Sequence, residues 1–270
     1  MLHVPAGGVP ECAAAVRGEV GARPLVALGG GRVVDASKAI GGADGLEVAA
    51  VPTTLSGAPI TRIHRMPEGV DQFNLIRPSL VIADPELMAS QPMPGLAASA
   101  MNSLAHATES LYTPLANPVA EMAALRAASL FASGLADPRE PRRDDLALAA
   151  LLGSWAMGTT GYALHHVVCQ TLVRVAGTPH AETNAVMLPH TVRFMAMRAP
   201  DAIERLRKAI GGDVADLAAL SGATTLGELG AEPGHVDPVV EAASGRGELG
   251  NTPGGPPSPD RLRAFVQAAL

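Results

Sequence analysis

From Pro94 to the C-terminus the sequence carries no strand signal, and this constrains the fold more than any single motif. Leu96–Tyr112, Pro118–Leu135, Asp144–Gly158, Thr160–Val175 and His180–Met197 all read as helices, with apolar residues at helical spacing. Pro114, Pro118, Pro138, Pro141, Gly177 and Pro179 punctuate the gaps between them. Further helices are predicted near Asp201–Ile210, Asp213–Ser221 and Pro259–Leu270, the last preceded by a loop over Gly250–Pro259. The chain is 47% hydrophobic but only 3% aromatic, so its core must be built mainly from Ala, Val and Leu. Ala has the best helix propensity and favours closely packed helices.

Before Pro94 the pattern is different. Val9–Ala22 has helical spacing, and Leu25–Leu28 is a short apolar run that reads as a buried strand. Three glycines follow, Gly29, Gly30 and Gly31, and then a helix beginning near Arg32 or Val33. Strand, glycine turn and helix N-terminus together suit an anion, because glycines let backbone N–H groups approach a phosphate and the helix dipole adds attraction. A tight turn between strand and helix explains the same residues equally well. Asp35 and Lys38 lie on the first turns of that helix. Leu46–Pro59 supplies a second strand and a polar turn whose Thr53, Thr54 and Ser56 can hydrogen-bond a cofactor or, more ordinarily, cap the next element. Ser79–Leu87 is a third strand, ended by Asp84-Pro85. The fold class is therefore α/β followed by all-α. We expect an α/β domain over residues 1–93 and a helical domain over residues 94–270, with a small-molecule site between them.

The net charge of −6 argues against nucleic-acid binding, which needs a basic face. No apolar run reaches the length of a membrane span, so no membrane partner is expected. Cys12 and Cys169 lie far apart and give neither metal spacing nor a disulfide framework. The first residues lack the charged-then-apolar pattern of a secretion signal. A cytoplasmic location is expected.

Chemistry-bearing residues concentrate between Met101 and His180. Asn102 and His106 are four apart, so on a helix they share one face. His166 and His180 fall on two further segments, and folded-back helices can bring all four into one cleft. His165 and His166 are neighbours, so at most one of them faces that cleft squarely. A divalent metal asks for imidazoles plus a carboxylate or thiolate. Here the position four before His106 is a neutral amide, so no metal is expected. The remaining set can donate hydrogen bonds, and imidazoles that charge near neutrality can bind a carboxylate and deliver a proton. Glu109 and Glu182 can each orient a histidine, although solvation at the surface is the more ordinary role for a glutamate.

The motifs ALGGGRVVDASKAI, VPTTLSGAPIT, IRPSLVIADPEL, AMNSLAHATESLY, LHHVVCQTL and TPHAETNAVMLPH occur in this order over Pro24–Phe194. In that combination the chain resembles the iron-containing (group III) alcohol dehydrogenase superfamily, and within it the maleylacetate reductases most closely. The resemblance implies a two-domain fold of the dehydroquinate-synthase and iron-alcohol-dehydrogenase kind, with a shortened Rossmann-like domain. It implies NADH or NADPH as cofactor, with Gly29, Gly30, Gly31, Asp35 and Lys38 at the pyrophosphate turn and its helix, and Thr53, Thr54 and Ser56 in a contacting loop. Asn102, His106, His166 and His180 fall at positions that hold a metal in the metal-dependent branch through one Asp and three His. Maleylacetate reductases resemble this chain in having Asn first, and they work without a metal. They reduce the carbon–carbon double bond of maleylacetate to give 3-oxoadipate during aromatic-compound catabolism. The implied partner is a small dicarboxylate or oxo-acid, and a homodimer is expected.

The chain departs from the family pattern in three places. Its glycine turn comes early, so the first part of the cofactor domain is expected to be missing, leaving an exposed sheet edge. Gln170 stands where the family usually has a His, and Asn184 where the reductase motif often has one. These departures support an alternative, a degenerate member that serves as a remodelled enzyme or a binding or partner protein without hydride transfer. A metal-dependent alcohol dehydrogenase is disfavoured by Asn102.

Overall fold

The computed structural model describes all 270 residues. The chain opens with α1 (Val9–Val20), β1 (Leu25–Gly29), α2 (Gly31–Asp44), β2 (Val48–Pro52) and β3 (Leu80–Val81). The three strands form one parallel sheet in the order β1-β2-β3, with Leu25 opposite Val48 and Ala49 opposite Leu80. Successive side chains point to opposite faces of a strand. Ala27, Val48 and Ala50 are buried on the face that α2 covers, and α1 packs on α2 through Ala13, Val16, Ala36 and Ile40. The other face is open: Val26, Leu28, Leu80 and Ile82 are all exposed. Parallel sheets normally have both faces covered, so this one has an unsheltered apolar face as well as β1 as an unpaired edge.

The third strand is shorter than the sequence suggests. Asp84-Pro85 does not merely end it: the Asp84 carboxylate accepts the Glu86 N–H at 2.9 Å and caps α3 (Pro85–Met88). From there the chain is helical: α4 (Met93–Ser110), α5 (Pro118–Gly134), α6 (Arg143–Thr160), α7 (Leu164–Ala176), α8 (His180–Met195), α9 (Pro200–Ile210), α10 (Val214–Ala219), α11 (Val236–Ser244) and α12 (Pro259–Gln267). The predicted helix over Thr160–Val175 starts later, as α7 at Leu164, because Thr160 is the last residue of α6. Gly161, at φ +72°, ends α6 in a conformation that suits glycine, and α7 begins three residues later. The sequence reading missed α11 because Pro233 and the glycines at 230, 234, 245 and 247 obscure its short apolar stripe.

The central element is α4, buried continuously from Leu96 to Ser110 and packed against α5, α6 and α8. A helix buried on all sides needs small residues where its neighbours cross. Ala98, Ala100, Ala105 and Ala107 supply them, and a Cβ on Gly153 of α6 would lie 3.0 Å from the Ser103 carbonyl oxygen. A second apolar core joins Val167, Val168 and Leu172 of α7 to Val236, Val239 and Val240 of α11 and to Phe265 of α12. No helix is long and apolar enough to cross a membrane.

Candidate active site

The glycine turn and the Thr53–Gly57 loop are built on each other. The Thr53 N–H donates to the Gly29 carbonyl at 3.0 Å. A Cβ on Gly29 would fall 2.8 Å from a methyl of Val33, one on Gly30 would fall 3.0 Å from Thr54 Cγ2, and one on Gly31 would fall 3.0 Å from Ser56 Oγ. A side chain at Gly30 or Gly31 would press on the loop, and one at Gly29 on Val33 of α2. Gly30 caps α2 with no side-chain bond, and no acidic residue occupies the first turn of the helix. The N–H groups of that first turn thus have no side-chain acceptor. The hydroxyls of Thr54 and Ser56 are buried and unpartnered beside them. This donor set fits the anionic part of a dinucleotide.

Two residues expected at the cofactor are engaged elsewhere. The Lys38 side chain is fully buried, and its Nζ donates to the carbonyls of Ala58, Thr61 and Ile63 at 2.8, 3.1 and 2.9 Å and pairs with Asp35 Oδ1 at 2.7 Å. The ammonium therefore points away from any phosphate and pins the 58–63 segment to α2. Burial lowers the Lys38 pKa and raises that of Asp35, while their mutual attraction opposes both shifts.

The loop continues onto the helical part. The Leu55 N–H donates to Ser99 Oγ of α4 at 3.0 Å. Two residues on, the backbone of Gly57 lies against His106, so that a Cβ there would sit 2.9 Å from His106 Cε1 and 3.2 Å from Ser154 Oγ. His106 in turn stacks on His166, with ring centroids 4.7 Å apart and planes 24° from parallel. Asn102 lies one helical turn before His106 on the same face of α4. Asn102 Oδ1, His106 Nδ1 and His166 Nε2 are buried and have no partner. A group of orphaned polar atoms of this kind is uncommon in a folded core and calls for a ligand or a chemical role. His180, at the first position of α8, is exposed and lies within electrostatic range of both stacked rings. The Gly57 loop lies against His106, and both stacked rings are deeply buried, His106 4% exposed and His166 3%.

Of the two roles the sequence allows Glu109, orienting a histidine and solvation at the surface, the structure shows the first. Glu109 is fully buried, with Oε2 2.6 Å from His166 Nδ1 and Oε1 accepting the N–H groups of Ala163 and His165 at 3.1 and 2.8 Å. One signal was available: Glu109 follows His106 by three and so shares its helix face. Its partners, more than fifty residues away, were not legible. Of the histidine doublet, His165 faces away from the stack. Its ring nitrogens pair with Thr191 Oγ1 at 2.8 Å and Asn184 Oδ1 at 3.0 Å, while Asn184 Nδ2 donates to the His180 carbonyl. Asn184 thus ties α7 to the start of α8. Gln170, one turn after His166 on α7, accepts from Arg246 Nη1 at 2.7 Å; Arg246 also pairs with Glu248 and with Tyr162 OH. Tyr162 packs on His166 with ring centroids 5.9 Å apart.

Burial, reinforced by the neighbouring histidines, decides the charge of the stack. It pushes His166 down to about 3 and His106 well below its ordinary value. Burial also pushes His165 down to about 3. The expectation of imidazoles charged near neutrality is corrected: in the closed site they are neutral, because a buried cation lacks solvation. A pH prediction follows. Between about pH 6.5 and 3 the unfolded chain binds protons at these positions that the native state does not. Each neutral buried histidine therefore subtracts about 1.4 kcal/mol of stability per pH unit on acidification through that window. Glu109, raised by burial to about 7, acts with the opposite sign, losing stability as pH rises towards that value. Three histidines outweigh one glutamate, so the urea midpoint should fall steeply from pH 6.5 to pH 4; a flat profile would contradict the neutral stack.

The family pattern raises the question of a metal. No three His, Cys, Asp or Glu side chains are placed to share an ion. The donor on α4 that stands in place of a carboxylate is Asn102, a neutral amide whose Oδ1 is buried and unpartnered. This donor set does not fit a divalent ion.

Residues 96–242 match the Fe-containing alcohol dehydrogenase family, C-terminal part. Maleylacetate reductase 1 of Rhodococcus opacus is 36% identical over 237 residues, covering 82% of this chain and 66% of that protein. Maleylacetate reductase of Rhizobium sp. is 34% identical over 257 residues, covering 90% of this chain and 73% of that one. The crystal structure of maleylacetate reductase from Agrobacterium tumefaciens superposes with a TM-score of 0.83 at 30% identity, covering 96% of this chain and 78% of that one. The chain thus spans slightly under two thirds of the length of the Rhodococcus relative.

Proposed function

The chain belongs to the Fe-containing alcohol dehydrogenase family, and from that premise we propose that it is a metal-independent, NAD(P)H-dependent reductase of maleylacetate or a similar unsaturated oxo-acid, giving a 3-oxoadipate-type product. One observation carries the reading. Gly57, on the same loop that bonds to the glycine turn, lies against His106 and its unpartnered Nδ1, and His106 stacks on His166, whose Nε2 is also unpartnered. That loop puts the anion-binding turn and the orphaned polar atoms in one continuous structure.

The chemistry that bound NAD(P)H supplies is a hydride. This chain's residues do the rest. Gly29–Gly31, Thr54 and Ser56 hold the anionic part of the cofactor. Hydride addition to one carbon of an enoate moves negative charge onto the conjugated carbonyl oxygen, and a proton must reach the neighbouring carbon. A neutral imidazole N–H polarises such a carbonyl without itself being an acid. A substrate carboxylate entering beside the stack favours the charged form of an imidazole, so that a histidine can then release the proton. Arg246, bonded to Gln170 one turn along α7 from His166, would have to exchange its Glu248 pairing for a second substrate carboxylate. The protein works in the cytoplasm as a homodimer, which would shelter the open sheet face.

Calorimetric titration with NADH and then NADPH tests the cofactor. We expect micromolar binding, lost in Gly30→Trp, because any side chain at Gly30 drives into Thr54. Turnover assays with maleylacetate come next. A folded protein that binds neither dinucleotide defeats the reductase reading, and stoichiometric iron or zinc in active protein defeats metal independence.

A further inference from the structure

Helix α7 begins without any cap of its own. Ala163 at its N-cap has no side chain to accept a bond, and no acidic residue lies in its first turn. The N-terminal N–H groups of a helix need acceptors and welcome negative charge. Both come from another helix. Glu109, on the last turn of α4, accepts the N–H groups of Ala163 and His165 on one carboxylate oxygen and the His166 ring on the other. The ring bond, at 2.6 Å, is short enough to be charge-assisted.

We propose that Glu109 is the positioning residue of the site: its carboxylate clamps the start of α7 and holds His166 as the Nδ1–H tautomer, so that the ring presents a bare Nε2 to the reacting side. An ionised carboxylate only accepts. A neutral imidazole bonded to it through Nδ1 must therefore donate there, which leaves Nε2 with its lone pair. The structure has that nitrogen buried and unpartnered. The ring cannot rotate, because Tyr162 packs against it and His106 stacks on it. Glu109 thereby fixes which face of the imidazole a ligand meets and whether that nitrogen gives or takes a hydrogen bond. The tautomer assignment stands on this geometry alone; its effect on turnover rests on the reductase reading above.

The test is ¹⁵N NMR of histidine-labelled protein at pH 8, with the His166 signals identified by their loss in His166→Asn. Wild type should show a protonated Nδ1 and a bare Nε2. In Glu109→Gln the amide oxygen can still accept the two backbone N–H groups, but the amide nitrogen must donate to Nδ1, so the tautomer should flip to Nε2–H. Turnover of the variant should fall of order 10–100-fold through kcat, with little change in KM. A wild-type Nε2–H tautomer overturns the proposal, as does an unchanged tautomer in a folded Glu109→Gln protein. If the variant does not fold, the wild-type spectrum still decides. If wild type turns over no enoate, the reductase reading fails while the tautomer result stands.

Discussion

Replacing Lys38 by Met is expected to lower the unfolding free energy by about 3–5 kcal/mol, because it removes one partner from a buried, hydrogen-bonded charge. Met reproduces the volume of the aliphatic stem, so little packing is lost. What disappears is the sole cation facing the carbonyls of Ala58, Thr61 and Ile63 and the carboxylate of Asp35. The Asp35 Oδ1 that loses its partner is itself buried, so its charge is left largely uncompensated. The carbonyls lose the donor that gathers them, and the 58–63 segment loosens. Asp35→Asn should cost less, since Lys38 keeps its three carbonyls. Urea unfolding of the two variants measures the difference. A contrary result is easy to recognise. Were Lys38 a cofactor contact, Lys38→Met would leave the urea midpoint almost unmoved and weaken only dinucleotide binding.

Lys38 also shows where sequence reading runs out. A lysine about two turns into the helix after a glycine turn looks like a phosphate ligand, because sequence shows which residues are near in the chain and not which carbonyls fold over them. The ammonium finds its partners twenty to twenty-five residues downstream. Glu109 meets the same limit: orienting a histidine was one of its legible roles, but its partners lie 54 to 57 residues on. What was legible was periodic or local. The long helices from α4 to α8 follow from apolar spacing and from Pro and Gly breaks, and the three strands follow from short apolar runs ended by the glycine turn, by Pro52 and by Asp84-Pro85. Asn102 and His106 share a face because four residues make about one helical turn. The histidine doublet marks the limit of that logic. Helix geometry says that only one ring can face the site, but Thr191 and Asn184 decide that it is not His165. Gln170 and Asn184, read as losses of a titratable group, turn out to be held in place by Arg246 and by His165.

Substituting Gly57 by Val should depress kcat/KM about 100-fold or more, the scale on which a displacement near 1 Å costs an enzyme its alignment. The backbone of Gly57 is the point where the cofactor loop touches the histidine stack. Even a single Cβ there would stand 2.9 Å from His106 Cε1 and 3.3 Å from its Nδ1, and Val adds two methyl groups. His106 cannot yield without losing its 4.7 Å stack on His166, and Ser154 blocks the other direction. The loop must therefore lift. It is held at one end by the Thr53 bond to Gly29 and in the middle by the Leu55 bond to Ser99, so lifting strains both the glycine turn and its seat on α4. Overpacking of this kind typically costs about 1–3 kcal/mol of stability, which leaves the protein folded and the measurement interpretable. Gly45→Ala is the matched control: it strains a positive-φ glycine at the end of α2, but no atom lies within 4 Å of its Cβ. It should lose stability without losing turnover. If Gly57→Val keeps wild-type kcat/KM, the stack does not sit at the reacting centre.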